Sequence, residues 1–118
     1  MAQSSTLDRG EWTARLDQLT KNHQGELASI ELLDPTYGDL DEAERMPFSY
    51  VGYDHKDDAV VVAVGGNSPR YPVVLRHIVS HPTEVSVDED ETILGAVRIA
   101  DPEGTVTLVS FFAAPHGP

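Results

Sequence analysis

One helical pattern followed by seven short β-type segments is the feature that most limits what this chain can become. The segments are Glu26–Leu33, Phe48–Tyr53, Ala59–Val64, Pro72–Val79, Glu84–Val87, Thr92–Ala100 and Thr105–Ala113. Turn signals divide them: Asp34-Pro35-Thr36-Tyr37-Gly38, Asp54-His55-Lys56-Asp57-Asp58, Gly65-Gly66-Asn67-Ser68-Pro69, His81-Pro82, Asp88-Glu89-Asp90-Glu91 and Asp101-Pro102-Glu103-Gly104. Connections this short join antiparallel neighbours, because a parallel pair needs a crossover of about a dozen residues or more.

The helical pattern carries its own start and stop. Asp8 is a good N-cap, and Glu11 stands at the spacing of a capping box. Leu7 and Trp12 bracket the start as a hydrophobic staple. Trp12, Leu16 and Leu19 recur at i, i+4 and i+7, while Arg15, Asp17, Gln18 and Lys21 fall elsewhere. Lys21 and His23 suit the negative end of the helix dipole, and Gly25 suits a left-handed terminator. The expected helix runs from about Arg9 to about His23. Its single apolar stripe needs a sheet to lie on.

Within the first β segment Ala28, Ile30 and Leu32 share one face and Leu27 and Leu33 the other. Ala59–Val64 is apolar at every position, which points to a central strand covered on both faces. Asp39–Met46 reads either as a helical turn or as a solvated edge strand, closed by Pro47. Asp101-Pro102-Glu103-Gly104 has proline second and glycine fourth, as a type I turn between two strands prefers. The expected architecture is α+β: one N-terminal helix packed on a curled antiparallel meander of about six or seven strands, a β-roll or partly open barrel. Residues 1–6 read as a disordered tail, 7–114 as one domain and 115–118 as a second tail.

Composition narrows the function. The 118 residues suit one domain. There is no cysteine, which removes disulfides, thiolate metal sites and cysteine nucleophiles together. Twenty acidic residues against eight basic ones give a net charge of −12, and the six arginines are dispersed. Such a surface repels phosphate backbones and anionic headgroups, so neither nucleic acid nor membrane is an expected partner. The start, Met1-Ala2-Gln3-Ser4-Ser5-Thr6, has no basic and apolar regions of a signal peptide. The longest apolar run is far too short to span a bilayer. A cytoplasmic location is expected.

Each candidate for chemistry meets a structural explanation. His77 and His81 have the spacing of helical zinc sites, but in a strand four residues span about 13 Å, beyond one metal's reach. Asp54, Asp57 and Asp58 in one turn, and Asp88–Glu91 in another, do not match a calcium loop and serve turn formation and solvation. Gly65-Gly66-Asn67-Ser68 lacks the lysine and following helix of a phosphate loop, and no Gly-x-Ser-x-Gly is present. No cofactor and no catalytic residue is expected. What is left is aromatic and apolar surface. Phe111 and Phe112 are adjacent in a strand and so point to opposite faces, leaving one for the core and one for another cover.

Several features together resemble a bacterial domain-of-unknown-function family of short, acidic, single-domain proteins. They are Trp12 in the leading helix, Gly25-Glu26 at the first strand, acidic Asp41–Glu44 before Pro47, the Asp54…Asp57 turn, His77 with Pro82, and the Asp101-x-x-Gly104 hairpin. The resemblance covers nearly the whole chain. It implies a bacterial cytoplasmic protein and transfers no activity, cofactor or catalytic residue. A helix followed by strands is also similar in outline to the Sm-like RNA-binding fold, but extra strands, the missing basic motif and the charge oppose that comparison.

The expectation is therefore a non-enzymatic domain that binds another protein, or a second copy of itself, through an open sheet edge or a spare aromatic face. The alternative is a β-roll that binds a small ligand or metal through the Asp54–Asp58 turn and His77. Tyr53, Asp54, His77 and Phe112 are the candidate binding residues.

Overall fold

The computed structural model describes residues 3–66, 72, 74–89 and 95–113. A 3-10 turn, Arg9–Glu11, leads into helix α1, Trp12–Asn22. The eight strands among the described residues are β1 (Gln3–Thr6), β2 (Leu27–Asp34), β3 (Gly38–Asp54), β4 (Ala59–Gly65), β5 (Val74–Ser80), β6 (Glu84–Glu89), β7 (Ala96–Ala100) and β8 (Val106–Phe112). They form one antiparallel sheet in the order β1-β6-β7-β8-β2-β3-β4-β5, left open with β1 and β5 at its ends. The α+β fold and the unclosed, curled sheet agree with the sequence.

The start of the helix works as its residues suggest. The Glu11 carboxylate accepts the Asp8 N–H at 3.3 Å, and Leu7 and Trp12 are both buried. Trp12 also donates its indole N–H to the Leu7 carbonyl at 3.4 Å. Trp12 and Leu16 are 2% and 0% exposed, and burial of side chains this size contributes about 1.5–3 kcal/mol each. Gly25 ends the helix at φ 83, a left-handed value that glycine adopts without Cβ strain.

Two sequence expectations are corrected, and one reading left open is decided. Thr6 and its neighbours are not a tail: Gln3–Thr6 pairs with β6, from Gln3↔Glu89 to Thr6↔Ser86. A polar tetrapeptide has no hydrophobic alternation to announce a strand, and tertiary pairing decides its state. Next, of the two readings of Asp39–Met46, helical turn or edge strand, the strand holds, and Pro47 does not close it but carries it on into Phe48–Tyr53. The first half of β3 pairs with β2 and the second half with β4, and Pro47 stands where the partner changes. A residue lacking an N–H is tolerated at such a switch because no continuous ladder passes through it. Finally, the strands are not one meander. β2 to β5 form one run and β6 to β8 another, joined where β8 pairs with β2.

The curl follows from that order. β5 and β6 are connected by only His81-Pro82-Thr83 yet lie near opposite ends of the sheet, so the two ends must be brought close. His77 of β5 reaches Thr107 of β8 at 3.1 Å, across the roll and not along it. Inside lie Val60, Val62 and Val64 of β4, Val85 of β6, Val97 and Ile99 of β7, and Val109 and Phe111 of β8. Residues 67–69, Tyr71, Asp90–Glu91, Thr92–Leu94 and the expected 115–118 tail lie outside the described residues.

The helix lies chiefly against β3. Because β2 pairs only as far as Pro47, the rest of β3 has an edge with no strand beside it. Thr20 covers that edge: its hydroxyl donates to the Val51 carbonyl at 2.8 Å and accepts the Val51 N–H at 3.0 Å. Gln24 adds a donor to the Ser49 carbonyl at 3.4 Å. One side chain from the helix and one from the turn after it stand in for a missing strand.

Candidate functional site

Two regions gather chemistry or exposed apolar surface, and β5 belongs to both. At one end of the roll, a cleft of about 360 Å³ is walled by β5 and by the β7–β8 hairpin. The hairpin is held as its sequence dictates. Gly104 donates to the Asp101 carbonyl at 3.2 Å, and the Asp101 carboxylate accepts the Glu103 and Thr105 N–H groups at 2.9 and 3.0 Å. Leu32 and Thr107 are register partners and share the inner face, next to His77. The His77 imidazole is partly buried and bonded to Thr107, and burial pushes its pKa down, a trend that Glu42 opposes. Thr107 itself is 2% exposed.

The second region is the side of β5 that no strand pairs among the described residues. Of the large hydrophobic side chains left exposed, Val74, Leu75 and Ile78 lie on this one strand, at 40%, 36% and 57%. Register places Ile78 opposite Val61 and Arg76 opposite Ala63 on the outer face, with half-exposed Tyr50 completing that row on β3. β5 holds seven residues with no proline, lysine or acid, the devices by which sheets blunt their edges.

The residues singled out from sequence are not brought into one site. Tyr53 packs edge-on against Trp12, with ring centroids 5.2 Å apart, and donates its hydroxyl to Asp58 at 2.7 Å. Asp58 also accepts Arg9 at 2.9 Å and contacts His81 at 3.3 Å. The Tyr53 hydrogen bond, aided by His81 and Arg9, lowers the Asp58 pKa, and the same hydrogen bond raises that of Tyr53. Asp54 accepts the Lys56 and Asp57 N–H groups, holding its own turn. Phe112 lies on the outer face under the Arg45 guanidinium, 4.4 Å from the ring centroid, while Phe111 is buried. The cover for the second phenylalanine is thus an arginine. Asp58 as a hub and Thr107 as the partner of His77 were not foreseen. Both depend on contacts between residues far apart in sequence, and no local pattern signals them.

Among the described residues no group of three or more His, Asp or Glu side chains is arranged to hold a metal ion. Nor is any described helix long and apolar enough to cross a membrane.

Comparison with known proteins now places the chain. The model of a family of unknown function, DUF5335, matches residues 3–118. The chain belongs to that family. Since the match starts at residue 3, the family domain takes in β1 together with α1 and the cleft. An uncharacterised protein of the bacterium Aquifex aeolicus (strain VF5) is 26% identical over 102 residues, covering 86% of each chain. No solved structure matches. Neither the family nor that relative brings a substrate, cofactor or reaction to transfer.

Proposed function

We propose that this family domain acts by binding and not by catalysis, receiving an extended segment of another protein along the free edge of β5. The observation that carries the reading is the exposure of Val74, Leu75 and Ile78 on an end strand whose one charged side chain is Arg76 and which holds no proline, lysine or acid. An added strand would take up backbone donors and acceptors along β5, and pockets between alternate side chains would give selectivity. The opposite end strand, β1, is four residues long and polar, and offers much less. Arg9, Tyr53, Asp58 and His81, the polar groups drawn together elsewhere, bond one another, which favours a structural role over acid–base work. A second copy of the chain is the other occupant of the same edge. The charge of −12 suits an aqueous compartment such as the cytoplasm.

The test compares the wild type with Ile78→Lys, a charge placed where natural edges carry one. Capture from bacterial lysate should retain a partner on the wild type and lose it on the variant. Light scattering over a concentration series separates a homodimer from a foreign partner. A monomer that retains nothing, or a partner held equally by both proteins, would overturn the reading.

A further inference from the structure

The cleft at the end of the roll adjoins the β5 edge, with His77, Ile78, Val79 and Ser80 of β5 in its lining, and its chemistry selects a ligand. A volume of about 360 Å³ lies at the small end of the range for small-molecule sites, roughly 300–1,000 Å³. Leu32, Val79 and Pro102 supply apolar wall, and Thr105, Thr107 and Ser80 supply hydroxyls. Asp101 and Glu103 supply two carboxylates, whereas no lysine or arginine lines the cleft among the described residues. Thr107, almost fully buried, holds one nitrogen of His77 and so fixes the ring against the inner wall, with Nδ1 as its other polar atom.

We infer that this cleft binds a small organic cation, a primary amine carried on a compact apolar body. The ammonium group lies toward Glu103 and Asp101 at the hairpin, and the apolar body against Leu32, Val79 and Pro102. An anion of the same shape would face two carboxylates with no cationic side chain to receive it. Burial of His77 adds to that preference, because a ring held neutral repels no cation. Asp101 is already committed to two backbone N–H groups of its turn, whereas no hydrogen bond or ion pair to the Glu103 carboxylate is found among the described residues. Glu103 is therefore the side chain that a ligand ammonium would meet first.

The experiment uses the full chain, isotope-labelled for NMR, in buffer of physiological salt so that diffuse attraction to the acidic surface is screened. Two probes of similar skeleton and opposite charge are titrated, phenethylamine and phenylacetate. Phenethylamine should shift the Leu32 and Val79 methyls and the His77 ring saturably, and phenylacetate should leave them in place. Glu103→Gln, a change in an exposed turn that leaves the fold intact, should weaken phenethylamine about two- to fivefold, the reach of one partly solvated charge. Equal or tighter binding of phenylacetate would overturn the inference. So would unsaturable shifts spread over the acidic surface, an unchanged affinity in Glu103→Gln, or no shift with either probe.

Discussion

Among the strand sides with no strand beside them in the described sheet, those of the second half of β3 and of the end strand β5 are treated in opposite ways. The β3 edge is covered. Thr20 both donates to and accepts from the buried Val51 backbone, and Gln24 reaches Ser49. β5 has no such cover among the described residues and keeps Ile78 57% exposed. Sheet edges are hazards that folds normally suppress, so a chain that closes one edge with side chains of the helix and its following turn has the means to close another. That difference is what the proposed binding along β5 rests on.

The largest way to break this comparison is to remove what holds the cover in place. Trp12→Ala deletes a side chain 2% exposed between Leu7 and Tyr53 and should cost about 3–5 kcal/mol by thermal or urea unfolding. Next comes the cover itself. Thr20→Val keeps the shape but leaves the Val51 N–H and carbonyl without partners, and should cost about 1–3 kcal/mol. A measured loss well below that would mean that water or a rearranged helix replaces the hydroxyl.

A gentler probe is pH. Burial holds the folded His77 pKa below its unfolded value of about 6.5, so the unfolded chain binds the proton first. Stability should be intact above about pH 6.5 and fall as the pH drops from there through the lower, folded pKa. His77→Gln should flatten that part of the curve. Asp58 and Asp34 act in a separate window: their lowered pKa values give stability above the ordinary carboxylate range that is lost in stronger acid. The smallest effect belongs to the bare edge. Ile78→Lys should change stability by no more than about 0.5 kcal/mol, being exposed, while abolishing partner capture.

The two regions also differ in how far the sequence announces them. Helix capping, the staple, the Gly25 stop and the Asp101–Gly104 turn are short-range chemistry, and each is legible in a few adjacent residues. Ala59–Val64 likewise advertises a central strand. The fate of Asp39–Met46 is not legible, since its acids suit a helical turn as well as a strand, and only pairing with β2 decides. Gln3–Thr6 is silent for the same reason. At the candidate sites, His77, Tyr53, Asp54 and Phe112 are visible as residue types, but Thr107 and Arg45, the partners of His77 and Phe112, come from register and curl. Thr20, the side chain that covers β3, sits unremarked on the polar flank of the helix.

Amide hydrogen exchange compares the two edges directly, in dilute solution and without a partner. The outward amides of Val74–Ser80 should exchange close to the rate of unprotected backbone, while the Val51 amide stays protected to near global unfolding. Equal, strong protection along both would contradict the account, because β5 would then be an edge already closed within the single chain.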